Sequence, residues 1–229
     1  MRTFIIADIH GCNRELSDLL SFLNPDREAD RMILLGDLFD RGPDSWEVYQ
    51  TVQSLAAAFG DRFTLLRGNH EDYLLSEKLT FRQKWMWNQV GRPATVRSFR
   101  MHGRKMEDTV SWLRENSRLY YRDENIQCAH AGIAVEPIEM NSEWTLMHDH
   151  QIVPENVYAG PLTITGHIAL EVPTWFSGDG ETTEMVPWGE DLILPGKGVL
   201  CIDTGCGKGG PLTALVLDGK AGRLERTLI

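Results

Sequence analysis

Three strand-like runs near the start of this chain each stop on chemistry-bearing residues. Thr3 to Ile6 leads into Asp8-Ile-His10-Gly11, Ile33 to Leu35 into Gly36-Asp37-Leu-Phe-Asp40-Arg41-Gly42, and Phe63 to Leu66 into Gly68-Asn69-His70-Glu71. The segments between them are patterned as helices. Leu16, Leu19, Leu20 and Leu23 recur on one helix face behind Asn13, which is suited to cap it, and Trp46 to Phe59 runs until Gly60 stops it. A strand, helix, strand, helix, strand order implies parallel pairing with right-handed crossovers. In an open α/β sheet the site lies beyond the carboxyl ends of the strands, where all three polar segments fall.

Two further segments, His130-Ala-Gly132 and Gly166-His167, bring the metal-type side chains to seven: Asp8, His10, Asp37, Asn69, His70, His130 and His167. From Tyr73 to about Asn116 the pattern is helical, broken at Gly91-Arg-Pro93 and Gly103 and crowded with Trp85, Trp87, Phe99 and Trp112, which reads as a helical cap over the sheet. The cap tryptophans read mainly as core filling, with stacking of one of them on a substrate base or ring as the alternative. The second half has short β-rich runs at Ile126 to Ala129, Leu162 to Thr165, Val199 to Ile202 and Leu212 to Leu217, predicted to form a second sheet packed on the first with helices outside. Glu171 to Gly198 holds three prolines, five glycines and six acids and is expected to be an irregular active-site loop.

At 229 residues and 42% hydrophobic, the chain suits one core, and a single domain over residues 1–229 with the cap segment at about 76–118 is expected. No apolar run nears the roughly 20 residues of a membrane span, and the first residues read as a strand, so a cytoplasmic location is expected. Cys12, Cys128, Cys201 and Cys206 lack paired zinc spacing and read as reduced thiols, with Cys206 filling a turn. A net charge of −10 argues against a stable nucleic-acid partner. The charge is uneven: residues 76–118 carry ten Lys or Arg against four acids, a surplus suited to drawing an anionic substrate to one face.

Carboxylate, imidazole and amide oxygen are donors for a hard or borderline divalent ion, whereas soft thiolate sites show cysteine pairs. Asp8 and His10 are placed to share one ion, Asp37 has two oxygens with which to bridge two ions, and Asn69, His130 and His167 suit the second. Such a pair activates water and neutralises charge at phosphorus. His70 suits the general acid for the leaving oxygen, with Asp40 to orient it. Arg41 offers a planar fork to phosphate oxygens. Asp203 is read either as a partner orienting a ligand histidine or as a turn residue, and His102 and His150 as surface or helper residues.

These motifs, in this order and with Ile202-Asp-Thr-Gly-Cys206 after them, resemble the phosphoprotein phosphatase branch of the calcineurin-like metallophosphoesterases over roughly residues 3 to 217. The resemblance implies a four-layer αββα sandwich of two mixed β-sheets flanked by helices. It also implies Asp8, His10 and Asp37 on one metal and Asp37, Asn69, His130 and His167 on the other. The cofactors expected are two divalent ions, Mn²⁺ first, with Fe, Zn, Ni or Co as alternatives. The catalytic set expected is His70, Asp40 and Arg41, and the substrate-binding set Arg41, Asn69 and His148. One departure stands out. The second phosphate-binding arginine usual in that branch is missing from Ser142-Glu-Trp-Thr-Leu-Met-His-Asp-His150, where His148 or His150 takes its place. The leading expectation is a serine/threonine or dual-specificity protein phosphatase acting on phosphorylated protein or a small phosphoester. The alternatives are a symmetrical dinucleoside tetraphosphate hydrolase, whose family typically lacks the aspartate kept here as Asp40, a nucleic-acid end phosphatase, and an inactive binding module.

Overall fold

The computed structural model describes residues 1–153, 155, 158–179, 181–219 and 221–227. In chain order, β1 (Arg2–Ile6), α1 (Asn13–Leu23), β2 (Arg31–Leu34), α2 (Ser45–Phe59) and β3 (Phe63–Leu66) form the opening unit. The cap follows as α3 (Asn69–Leu75), α4 (Phe81–Gln89), α5 (Arg92–Met101) and α6 (Val110–Asn116). The second half comprises β4 (Ser117–Arg118), β5 (Tyr120–Arg122), β6 (Gln127–Ala129), α7 (Glu143–His148), β7 (Thr163–Thr165), β8 (Thr174–Phe176), β9 (Thr183–Met185), β10 (Asp191–Ile193), β11 (Val199–Cys201), β12 (Thr213–Asp218) and β13 (Ala221–Arg226).

Two mixed sheets result, in the orders β10-β13-β12-β1-β2-β3-β4 and β5-β6-β7-β11-β8-β9. β1, β2, β3 and β4 run parallel, as the opening pattern implied, and β6, β7 and β11 are parallel in the second sheet. Alternation along the strands makes the layers. Phe4, Ile6, Met32 and Leu34 point into a core shared with the buried faces of α1 and α2, while Ile5, Ala7, Ile33 and Leu35 point the other way. There they meet Cys128, Ile164 and Leu200 of the second sheet. Ala129, Val199 and Cys201, on that sheet's far face, pack against Leu146 of α7. A strand buried on both faces needs apolar residues at both parities, which explains the continuous apolar runs of β1 and β2. The architecture is the expected αββα sandwich.

Three expectations need correction. Leu212 to Leu217 does not join the second sheet: β12 pairs antiparallel with β1, Ile5 opposite Leu215, and belongs to the first. Its apolar alternation suits either sheet, so register with β1 decides. Glu171 to Gly198 is not an irregular active-site loop. β8 and β9 form a hairpin at the edge of the second sheet and β10 pairs with β13 at the edge of the first, while Gly180 lies outside the described residues. Asn13 does not cap α1. It is the first helical residue, and its amide oxygen accepts from Thr51 Oγ1 at 2.8 Å.

The four cysteines are free and buried, and no helix among the described residues is long and apolar enough to cross a membrane. Ile5 is fully enclosed between the sheets. Ile5→Ala is expected to lower the unfolding free energy by about 2–5 kcal/mol, measured by urea denaturation.

Candidate metal centre

Six parallel strands end at one place. Asp8 follows β1, Asp37 follows β2, Asn69 follows β3, His130 follows β6, His167 follows β7 and Asp203 follows β11. The two halves of the sandwich each supply three strand ends, so residues up to 195 positions apart share one polar cluster. Asp8, His10, Asp37, His70, His130 and Asp203 are all buried.

The loops are held in conformations that side chains seldom adopt. Positive φ angles occur at His10 (49°), Asp37 (50°), Asp40 (71°), Arg41 (68°) and His167 (67°), and outside the cluster at Asn24 (42°), which closes α1. Residues in this region cost roughly 1–3 kcal/mol each and persist only where surrounding structure imposes them. Glu71 imposes part of it. Its carboxylate accepts the N–H groups of Asp37 (2.7 Å), Leu38 (2.9 Å) and Gly68 (3.1 Å), joining the loops after β2 and β3. Burial and the nearby Asp37 charge push Glu71 up to about 7. Close approach also demands glycine: a Cβ on Gly68 would lie 2.1 Å from Asp37 Oδ1, and one on Gly166 2.0 Å from Asp8 Oδ1.

The ring nitrogens are sorted by their partners. His10 Nδ1 lies 2.8 Å from the Phe39 carbonyl and His130 Nδ1 2.9 Å from the Leu35 carbonyl, so each donates there and leaves its Nε2 lone pair facing the cluster. His130 Nε2 sits 3.1 Å from Asn69 Oδ1, 3.1 Å from His167 Nδ1 and 3.5 Å from Asp37 Oδ1. His10 Nε2 sits 3.5 Å from Asp37 Oδ2. Two groups thus share Asp37: His10 and His70 with it on one side, His130 and His167 on the other, each with donor atoms within 4.8 Å of one another. Lone pairs crowded in this way repel unless a cation lies among them. Asp8 Oδ1, His167 Nε2 and Asp203 Oδ2 are moreover buried without a hydrogen-bond partner. Oxygen and imidazole donors, a carboxylate common to both groups and unpartnered buried acceptors fit a pair of borderline divalent ions.

Protonation follows the same division. Burial lowers His10 and His130 and, with the neighbouring His130, takes His167 to about 2. Burial opposes a charge on Asp37 too, but the surrounding imidazoles hold it well below the usual carboxylate range. Asp8 is raised well above that range by burial and by the charges of Asp203 and Asp37, and Asp203 is pushed up to about 6 by burial. His70 differs. Burial works to lower it, yet Asp37 and the Asp40 hydrogen bond overcome that and raise it.

That hydrogen bond, His70 Nδ1 to Asp40 Oδ2, is 2.6 Å long. Asp40 is gripped in turn by the cap. Trp87 Nε1 donates to Oδ2 at 2.7 Å and Thr95 Oγ1 to Oδ1 at 2.7 Å, while the Asp40 N–H donates to Thr95 Oγ1 at 2.8 Å. From the sequence Trp87 reads as one of the cap tryptophans, filling or stacked on a substrate ring, and nothing marks Thr95. A buried indole N–H needs an acceptor, but only the packed cap shows that the acceptor is Asp40.

Each sequence-predicted site residue can now be placed. Asp8, His10, Asp37, Asn69, His130 and His167 converge. His70 also stands in the His10–Asp37 group, its Nε2 3.8 Å from Asp37 Oδ2. Arg41 is half-buried at the rim, and its charge bears on Asp8, His10, His70 and Asp203. His148 is drawn aside: its Nε2 pairs with Asp72 Oδ2 at 2.9 Å on the α3 side of the site. His150 instead stacks on His167, ring centroids 4.0 Å apart, a closer approach to the cluster than the helper role foresaw. Asp203 orients no histidine. Its Oδ1 accepts the Gly205 N–H at 2.9 Å, and backbone carbonyls orient His10 and His130. His102 pairs with Glu47 at 2.7 Å on the outer face of the cap.

Comparison with known proteins agrees with this arrangement. The family model for calcineurin-like phosphoesterases matches residues 1–195, and the chain belongs to that family. It is accordingly a metal-dependent phosphoester hydrolase by family. Over 136 residues it is 36% identical to the symmetrical bis(5'-nucleosyl)-tetraphosphatase of Proteus mirabilis (strain HI4320), a match covering 58% of this chain and 45% of that protein, a little under half its length. The protein of the same name from Pectobacterium carotovorum subsp. carotovorum (strain PC1) is 27% identical over 272 residues, covering 96% of this chain and 93% of the relative. Among solved structures, a metallophosphoesterase from Sphaerobacter thermophilus shares the fold with a TM-score of 0.64 at 19% identity, covering all of this chain and 89% of that one.

The Glu71 staple carries a direct expectation. In Glu71→Gln one of the two acceptor atoms becomes a donor, so at least one buried N–H loses its partner. The unfolding free energy should fall by about 1–3 kcal/mol in urea titrations, and uptake of Mn²⁺ at a fixed free concentration, measured by elemental analysis, should fall with it.

Proposed function

We propose that this protein hydrolyses nucleoside polyphosphates, cutting a dinucleoside tetraphosphate symmetrically into two nucleoside diphosphates. The observation that carries the reading is the tetraphosphatase-named relative that aligns over 96% of this chain and 93% of its own length. Loss of the second phosphate-binding arginine, with His148 paired to Asp72 in its region, speaks against a phosphoprotein site of the usual kind. The protein phosphatase expectation stays as a second reading because one feature favours it: the Asp40–His70 pair suits an ester with a poor leaving group.

In this reading Asp8, His10 and Asp37 would hold one ion and Asp37, Asn69, His130 and His167 the other, with Mn²⁺ as the first choice. Two such ions supply water activation and charge neutralisation at phosphorus. Arg41 binds non-bridging oxygens and turns the target phosphorus toward the cluster. Asp40 keeps His70 protonated, and Nε2 delivers that proton to the leaving oxygen as the oxygen–phosphorus bond breaks. One water is consumed and two nucleoside diphosphates leave. The free, buried cysteines suit a reducing compartment such as the cytoplasm.

Incubation with diadenosine tetraphosphate and Mn²⁺, followed by chromatography, tests the reading. ADP as the only nucleotide product supports it, and ATP with AMP refutes a symmetrical cut. No cleavage alongside turnover of a phosphoserine peptide transfers the assignment to the second reading. Asp37→Asn should weaken both metals and lower kcat by at least about a hundred-fold, and two metals retained at wild-type occupancy would contradict the bridging role. His70→Asn should keep its metal content and slow poor leaving groups by about 10²- to 10⁴-fold. Equal slowing of an alkyl and a nitrophenyl phosphate would remove His70 from the acid role.

A further inference from the structure

On the cap side of the Asp40–His70 pair lies a cleft of about 350 Å³ whose lining includes Tyr73, Lys78, Lys84, Trp87, Arg92 and Met106. It is wired to the pair. Trp87 donates to Asp40 through Nε1, and the Tyr73 ring lies 6.4 Å from that of His70. Tyr73 is partly exposed and stacks on Trp87 at 5.9 Å and 23°. It offers a flat aromatic face beside the buried Met106.

The charge around this surface is cationic. Lys78 and Lys84 are exposed on the lining. The Arg92 guanidinium lies 4.9 Å from the Trp87 ring centroid, its Nη1 donates to Asn88 at 3.2 Å, and its Nε is buried with no partner among the described residues. Arg92 also lines an adjoining groove of about 580 Å³ with Arg97 and Arg100. Two acids, Glu77 and Glu107, stand on the cleft, and Glu77 faces Arg114 at 3.9 Å. Five cations against two acids therefore run from beside the pair across α5. A ligand with several phosphates and a planar base matches both halves of this surface.

We propose that this cleft is the subsite for the far nucleotide of a dinucleoside polyphosphate, its base against Tyr73 and its phosphates on Lys78, Lys84 and Arg92. The inference rests on the tetraphosphatase reading above and goes beyond it in saying how the substrate is laid out. One end is held on the cap, so the central anhydride is presented at Asp37 and Arg41.

The test is the double variant Lys78→Gln/Lys84→Gln, both side chains being exposed, assayed with Mn²⁺ on diadenosine tetraphosphate and on p-nitrophenyl phosphate, which has no second nucleotide. The expected result is a rise of about ten-fold in KM for the tetraphosphate, a much smaller change for the aryl phosphate, and a weaker dependence of the tetraphosphate KM on salt. If the wild type cleaves the tetraphosphate and the variant shifts both substrates equally, or neither, the subsite is refuted while the tetraphosphatase reading stands. If the wild type cleaves only the aryl phosphate, that reading fails and the subsite falls with it.

Discussion

The Glu71 carboxylate, buried at the start of α3, is the constraint on which the site is built. By accepting N–H groups from Asp37, Leu38 and Gly68 it binds the loop after β2 to the loop after β3. Asp37 is thereby fixed with φ at 50°, and its Oδ1 accepts the His70 N–H at 3.0 Å. From that position one carboxylate faces imidazoles from both sheets. Buried charge is tolerable only when it is paired or hydrogen-bonded, and here each acidic group is held by backbone donors or faces nitrogen donors.

The strained backbone and the donor cluster are two sides of one design. Side chains that converge from strand ends strain their turns, so His10, Asp37, Asp40, Arg41 and His167 sit at positive φ. The stabilising contacts come from elsewhere: carbonyls of Leu35 and Phe39 fix two imidazoles, and the cap fixes Asp40 through Trp87 and Thr95. The cap therefore reaches into the polar cluster through Asp40. The same indole that grips Asp40 also stacks on Tyr73 in the wall of the cationic cleft, so the Asp40–His70 pair and the cleft share one packed unit.

Much of this was legible in the chain. The opening strands and helices show clean periodicities, and the donor-bearing motifs follow strands because a short apolar run ending in glycine and aspartate has few other readings. The family resemblance supplied the layer order, and the structure agrees with it. Legibility failed where local pattern is ambiguous. β12 alternates like a strand of either sheet, so only its pairing with β1 assigns it. Glu171 to Gly198 looked irregular because its three strands have three residues each, too short to show a period. Between His148 and His150 composition has no preference, and packing set one on Asp72 and the other on His167.

The sequence by itself determined the chemistry of the centre: oxygen and imidazole donors, at strand ends, in an order that belongs to one family of metal-dependent phosphoesterases. Only the tertiary structure decided the division of labour among them. Whether a histidine offers a lone pair or a proton depends on what its other nitrogen meets, and those partners lie 29 residues away for His10, 30 for His70 and 95 for His130. The clamp on Asp40 comes from residues 47 and 55 positions further on. Periodicity and motif spacing describe neighbours along the chain, whereas tautomer, charge and strain are fixed by neighbours in space.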